Sequence, residues 1–285
     1  MSDNKQYVKQ HIVCSVSNPY NNKDNNKVIL ERELIYNGNL VLVNKQYPLK
    51  NPKIEGLISI NNAFPDILMK STAVHMLQKV LDKIDSGNDI VPVSGFRSLE
   101  EQTMIYKDSL RDNGEEFTKK FVALPNESEH QTGLAIDLAL NKEDIDFICP
   151  DFPYEGICQK FRETAPDFGF ILRYVKEKEQ ITGISHEPWH FRYVGYPHSK
   201  IITQKKMAFE EYIEFIKQFS SKNMYLYKQG TQTEIAIYYV PIGINETITI
   251  DLPEAPYEIS GNNGDGIIVT VWRRANEKEW ELFRN

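Results

Sequence analysis

The sequence predicts an α+β protein: a mainly antiparallel central sheet flanked by helices, with a small C-terminal β module. Two observations point there. Helical and strand periods are interleaved from about residue 38 to 220 without regular βαβ alternation. After Asn223 the pattern changes to short alternating runs separated by Pro, Gly and Asn-Gly turns. At 285 residues and 41% hydrophobic, the chain is long enough to bury a full core.

Taken in order, residues 1–37 form a polar lead-in rich in Asn and Lys (NPYNNKDNNK) and read as irregular. A single large domain is expected over 38–220. NLVLVNKQYPL (39–49) reads as a short strand stopped by Pro48. Between Asp66 and Ser86, Ala73, Leu77, Val80, Leu81 and Ile84 recur at helical spacing before Gly87, which predicts an amphipathic helix. DIVPVSGF (89–96) reads as a strand. Ser98 followed by Glu101 forms a capping box that opens a helix through about Asp112, with Gly114 beyond it, so Arg97 sits at a strand-to-helix junction. GLAIDLAL (133–140), GFILRYV (169–175) and HFRYVG (190–195) are three further strands, and a helix over about Thr203–Phe219 closes the domain. IAIYYV, ETITIDL and IIVTVW then supply strands for the module at 223–285.

The bulk properties exclude several classes of function. Net charge is −7 and the basic residues are scattered, which is not the electrostatic footprint of a nucleic-acid binder; a small ligand fits better. Cys14, Cys149 and Cys158 are odd in number and lack CxxC spacing, so they read as ordinary thiols. No segment approaches the about 20 apolar residues of a membrane span. The N-terminal stretch has no apolar run of signal-peptide length, so the expected location is cytoplasmic, with an exported or anchored one the alternative if a signal has been removed.

The strand at 133–140 carries the most chemistry. Leu134, Ile136, Leu138 and Leu140 fall on one face; Gly133, Ala135, Asp137 and Ala139 fall on the other. A lone carboxylate among residues with almost no side chain leaves room for a ligand, whereas a structural Asp belongs more often at a rim or turn. His130 lies seven residues earlier in a polar loop and can fold back over that face, although a loop histidine is usually just solvated. SHEPWHFRYVG (185–195) adds Glu187 and His190 near aromatic residues. His130, Asp137 and His190 would give Zn²⁺ two nitrogens and one oxygen with a fourth position open, the arrangement of a catalytic site. Glu187 is then free to take a proton during attack on a scissile carbonyl and pass it to the leaving amine.

His186 to His190 also matches HExxH, in which a helix puts both histidines on the metal and Glu210 or Glu211 would be the third ligand. Pro188 opposes that reading: inside a helix it removes a donor and clashes with the preceding turn, at about 3 kcal/mol. The following FRYVG is strand-like, so the preferred reading is a loop entering a strand, with His186 at most adjacent to the ligands. Arg97 offers a positive charge for an oxyanion or a substrate carboxylate, or is a plain surface cation. Gln102 and Ser128 are weaker candidates for contacts to a peptide, and His75 reads as packing or surface.

With these residues assembled, the sequence resembles the zinc D-alanyl-D-alanine carboxypeptidase and dipeptidase family associated with vancomycin resistance (VanY, VanX and VanXY types), over about residues 38–218. LVNKQYPL resembles the family's opening segment, SGFRSLEEQ its arginine motif, SEHQTGLAIDL its SxHxxGxAxD motif, and EPWHFRYVG its ExxH motif. The resemblance implies His130, Asp137 and His190 as zinc ligands, Glu187 as catalytic base and Arg97 as the group stabilising the transition state. It places Gln102, Ser128 and Trp189 at the substrate pocket. It implies hydrolysis of the D-Ala-D-Ala terminus of a dipeptide or muramyl pentapeptide. The β module lies outside the family's core and reads as a packing scaffold, or alternatively as a wall-binding or dimerisation unit. Rival functions are an L,D-carboxypeptidase, an endopeptidase, or a non-catalytic wall-binding protein that keeps the fold.

Overall fold

The computed structural model describes residues 27–50, 54–230, 233–243, 247–252 and 255–274. Two units divide the chain: Leu42–Tyr212, and Met1–Val41 together with Ile213–Asn285.

Much of the polar opening lies outside the described residues, but Lys27–Leu30 forms strand β1 and Arg32–Tyr36 a 3-10 helix. This corrects the irregular lead-in over those residues. β1 pairs antiparallel with Ile248–Asp251, Leu30 opposite Ile248, and Leu30 and Ile35 are completely buried. A few apolar side chains with a distant partner outweigh a polar local composition. Residues 39–49 also differ from expectation. Leu40 to Val43 are buried but form no strand, and an Asn44–Tyr47 turn follows, in which the Asn44 Oδ1 accepts from the backbone of Gln46 and Tyr47.

In the larger unit, β2 (Leu57–Asn61) and β3 (Phe64–Lys70) form a hairpin, and α1 (Ser71–Ile84) follows. The helix expected from Asp66 therefore starts later, because Leu68 to Lys70 pair with Ser59 to Leu57. α1 buries Ala73, Val74, Met76, Leu77 and Val80 and ends on Asp85 in the left-handed region. β4 (Ile90–Ser94) leads into α2 (Leu99–Phe121). Ser98 caps α2 reciprocally: the Glu101 N–H donates to Ser98 Oγ, and the Ser98 N–H to Glu101 Oε2. Gly114, at φ 82°, breaks α2 where the sequence places its end, but a second helical run continues to Phe121.

The remaining elements are β5 (Ala135–Leu140), α3 (Gly156–Thr164), β6 (Phe170–Tyr174), α4 (Glu179–Thr182), β7 (Glu187–Tyr193), α5 (His198–Lys205) and α6 (Phe209–Ile216). The last two replace the single helix expected over Thr203–Phe219; Lys206 turns left-handed between them. Strand order in the antiparallel central sheet is β4-β5-β7-β6. Leu134, Ile136 and Leu138 pack into one core with Leu77 and Val80 of α1, Phe161 of α3 and Phe191 of β7.

The smaller unit carries β8 (Tyr225–Gln229), β9 (Thr233–Pro241), β10 (Ile248–Asp251), β11 (Tyr257–Gly261) and β12 (Gly266–Arg274). They form an antiparallel sheet in the order β11-β12-β9-β8, with β1-β10 as a separate pair. Leu30, Ile35, Tyr238, Ile267, Val269 and Val271 build its core. Among the described residues no helix is long and apolar enough to cross a membrane.

His198 is buried at the start of α5, its Nδ1 2.6 Å from Tyr212 Oη. Burial pushes it down to about 3. The unfolded chain takes up this proton near 6.5 and the folded chain does not, so stability is lost as pH falls below about 6.5. Between pH 6.5 and 5 the loss from this one group is about 2 kcal/mol. In urea denaturation at pH 7 and pH 5, a His198→Asn variant is expected to show a drop smaller by about that amount. Equal drops in both proteins would rule the effect out.

Candidate metal centre and active site

The register of the central sheet brings the candidate residues together. Asp137 of β5 lies directly opposite His190 of β7, and on its other side opposite Ser94 of β4, the strand that leads to Arg97. Tyr174 of β6 lies opposite Glu187. Ser94, Asp137 and His190 therefore stand in one row across three strands, with Glu187 and Tyr174 paired further along β7 and β6 beyond a register shift.

His130 arrives from the loop before β5. Glu129–Thr132 makes a 3-10 turn that closes on Gly133 at φ 70°. Only glycine suits this position: a Cβ there would stand 2.8 Å from Leu57 Cδ2 as well as in a left-handed backbone. His130 Nδ1 lies 2.7 Å from the Gly95 carbonyl oxygen, which can only accept, so Nδ1 carries the hydrogen. The Nε2 lone pair is then turned on Asp137 Oδ2, 3.1 Å away. His190 Nδ1 lies 2.9 Å from Asp137 Oδ1.

One ligand atom from each of His130, Asp137 and His190 lies within 4.8 Å of the other two, and all three residues are buried. Two imidazole nitrogens and a carboxylate oxygen are the donor set of a catalytic zinc site with an open position. Burial alone would raise the Asp137 pKa, yet His130 and His190 hold it well below the usual carboxylate range. Burial alone would lower His190, yet Asp137, hydrogen-bonded to Nδ1, and Glu129, 3.5 Å from Nε2, push it up to about 9.

Glu187 borders the same cavity, with Oε2 3.8 Å from His190 Nδ1. Burial pushes its carboxyl up to about 8. Arg97 is an integral part of the site rather than a surface cation. Its Nη2 pairs with Asp137 Oδ2 at 3.0 Å, its Nε donates to Ser94 Oγ at 2.8 Å, and its Nη1 approaches Gln102 Oε1 at 3.4 Å. Ser128 and Trp189 line the cavity, as does Tyr174, whose ring centre lies 4.9 Å from that of His190. Gln102 differs from expectation: it is completely buried behind Arg97, and its amide donates to the Ala123 carbonyl. Its polar atoms are spent on the protein rather than offered to a peptide.

The helical HExxH reading fails because Glu187–Tyr193 is a strand. His186 points elsewhere, its Nε2 2.6 Å from Tyr154 Oη and its ring stacked on that of Tyr154. Glu210 pairs with Arg173 and Glu211 with Lys178. His75 is exposed on α1. Sequence reasoning missed Glu129, Arg173 and Arg192, a buried charged group behind His190. Charged residues interrupting the apolar strands FILRY and HFRYV were the available signal.

Comparison with known proteins identifies the family. The family model described as VanY, D-alanyl-D-alanine carboxypeptidase, matches residues 66–196. The bifunctional D-Ala-D-Ala dipeptidase and carboxypeptidase VanXYC of Enterococcus gallinarum is 43% identical over 181 residues, which are 63% of this chain and 95% of that protein. This chain belongs to the D-alanyl-D-alanine carboxypeptidase family. Its members are hydrolases, and zinc is the cofactor that the donor set of this chain fits. A D-alanyl-D-alanine carboxypeptidase of Enterococcus faecium is 32% identical over 282 residues, covering 94% of this chain and 84% of the relative. Among solved structures, the vancomycin-resistance D,D-dipeptidase VanXYg, in complex with a D-Ala-D-Ala phosphinate analogue, has a TM-score of 0.85 at 60% identity. That match covers 87% of this chain and 98% of the other. A VanY D,D-pentapeptidase solved with Zn(II) has a TM-score of 0.53 at 28% identity, covering 61% of this chain and 98% of the other. Some relatives thus match about three-fifths of the chain over nearly their whole length, and others match most of it.

Metal analysis of purified variants separates the ligand sets. His190→Ala and Asp137→Asn are expected to lose stoichiometric zinc, whereas His186→Ala keeps it. Loss of zinc from His186→Ala with retention in Asp137→Asn would contradict this assignment.

Proposed function

We propose that this chain is a zinc-dependent D,D-peptidase that removes the terminal D-Ala from D-Ala-D-Ala and from peptidoglycan peptides that end in it. The observation that carries the proposal is the convergence of His130, Asp137, His190, Glu187 and Arg97 on one cavity, in a chain 43% identical to a bifunctional dipeptidase and carboxypeptidase.

In this reading His130, Asp137 and His190 would hold the zinc. When bound, zinc lowers the pKa of a water toward about 7 and polarises a carbonyl oxygen. The rest of the chemistry falls to side chains. As water adds to the scissile carbonyl carbon, Glu187 takes its proton; it then gives the proton to the amide nitrogen as the C–N bond breaks, so that a carboxylate and free D-Ala leave. Arg97 opposes the negative charge that develops on the carbonyl oxygen. Of its five N–H donors, three face Ser94, Gln102 and Asp137, which leaves two for substrate. Gln102 acts through Arg97, anchored by Ala123. Ser128 and Trp189 border the substrate, with the polar hydroxyl and the indole face available to a short peptide. Specificity for a D-Ala terminus rests on the shape of this small cavity, since the zinc chemistry itself does not discriminate between peptides.

The domain boundary belongs to the same reading: the reaction is carried by Leu42–Tyr212, and the smaller unit is a scaffold. A cytoplasmic location belongs to the same proposal.

Three substrates decide the matter. D-Ala-D-Ala and a muramyl pentapeptide are expected to release D-Ala, and the corresponding tetrapeptide is not. Release from the tetrapeptide alone would make the chain an L,D-carboxypeptidase, and no release from any of the three in the zinc-loaded protein would make it a binding protein. Glu187→Gln is expected to keep its zinc and to lose about 10²–10⁴-fold in kcat with little change in KM. Full activity in that variant would remove Glu187 from the mechanism.

A further inference from the structure

Behind the metal centre lies a buried group of four charged residues that the proposed chemistry does not use. Glu129 and Arg173 have fully buried side chains, as does Arg192, and Glu210 stands at the edge of the group. Glu129 Oε1 accepts from Arg173 Nε at 2.8 Å and lies 3.0 Å from Arg192 Nη1. Arg173 in turn donates through both Nη atoms to Glu210, at 3.0 and 2.6 Å. Burial alone would raise the Glu129 pKa, but Arg173 and Arg192 outweigh it and keep the carboxylate charged.

One Glu129 oxygen is left over. Oε2 lies 3.5 Å from His190 Nε2, and among the described residues neither atom has another hydrogen-bond partner, although both are buried. Leaving a buried N–H and a buried carboxylate oxygen unpaired is costly, and here each is the other's nearest remedy. With a hydrogen on Nε2 facing Glu129, the nitrogen left to a metal is Nδ1, the atom beside Asp137. Glu129 also begins the short turn that carries His130.

We propose that Glu129 is a positioning residue of the metal centre: held by Arg173 and Arg192, it fixes the tautomer and ring orientation of His190 and so sets the affinity for zinc. This rests on the reading of His190 as a zinc ligand. A carboxylate behind a ligating imidazole acts in this way generally, and its removal costs about 10–100-fold in metal affinity.

The alternative is that Glu129 merely balances two buried arginines. Glu210 supplies the control, because it pairs with Arg173 but does not touch His190. In the full-length protein, zinc affinity is measured by competition with a chromophoric chelator, alongside melting temperature and kcat and KM on D-Ala-D-Ala. Glu129→Gln and Glu129→Asp are expected to bind zinc about 10–100-fold more weakly, with kcat lowered and KM held at saturating zinc. Glu129→Asp keeps the charge beside the arginines and so guards against simple unfolding. Glu210→Gln is expected to melt earlier while binding zinc within about twofold of the unaltered protein. Unchanged zinc affinity in both Glu129 variants, or equal weakening in Glu210→Gln, would overturn the assignment. Tight zinc binding by His190→Ala would instead show that the ligand reading beneath it is wrong.

Discussion

A carboxylate in the interior of a sheet must be compensated or it destabilises the fold by several kcal/mol. Asp137 is such a group, and its compensation organises the larger unit. His130 reaches it from a loop, His190 from the neighbouring strand, and Arg97 from the junction beyond β4. Two of these partners are themselves tethered, His130 by the Gly95 carbonyl and Arg97 by Ser94 and Gln102, and His190 faces an oxygen of Glu129 at 3.5 Å. Removing Asp137 would therefore leave several buried polar groups without their counterpart.

The parts of this arrangement that were legible in the sequence were those written in a short period. Alternation along residues 133–140 marked Asp137 as the odd member of a small-residue face, and Pro188 argued against a helix through Glu187 and His190. Ser98 and Glu101 announced the start of α2 through a bond pair only three residues apart. What failed to show were interactions between distant segments. β1 owes its existence to a partner more than 200 residues later, and a window full of Asn and Lys conceals that. Likewise, Asp66–Lys70 reads as helix until Leu57–Ser59 pairs with the end of it. Gln102 looked like a polar group for substrate because burial behind Arg97 leaves no periodic trace. Glu129 was overlooked beside the more conspicuous His130, although an acidic residue so close to a ligand is where a second layer of hydrogen bonding would be sought.

Relatives of two lengths frame the division of the chain. The zinc-containing VanY structure matches 61% of it, whereas the VanXYg structure matches 87% and the Enterococcus faecium relative 94%. The β-rich unit thus belongs to a subset of the family rather than to this chain alone. Its own core, built around Leu30, Ile35, Val269 and Val271, draws on both ends of the sequence.

The pairing of Asp137 with His190 has one more consequence. Neighbouring residues on a strand point to opposite faces, so a slip of one position between β5 and β7 would send Asp137 or His190 into the apolar core. A misregistered chain cannot assemble the donor set, and an ion that binds only the correct arrangement stabilises it by mass action. The metal would then serve as a proofreader of strand alignment during folding, before any peptide is cut.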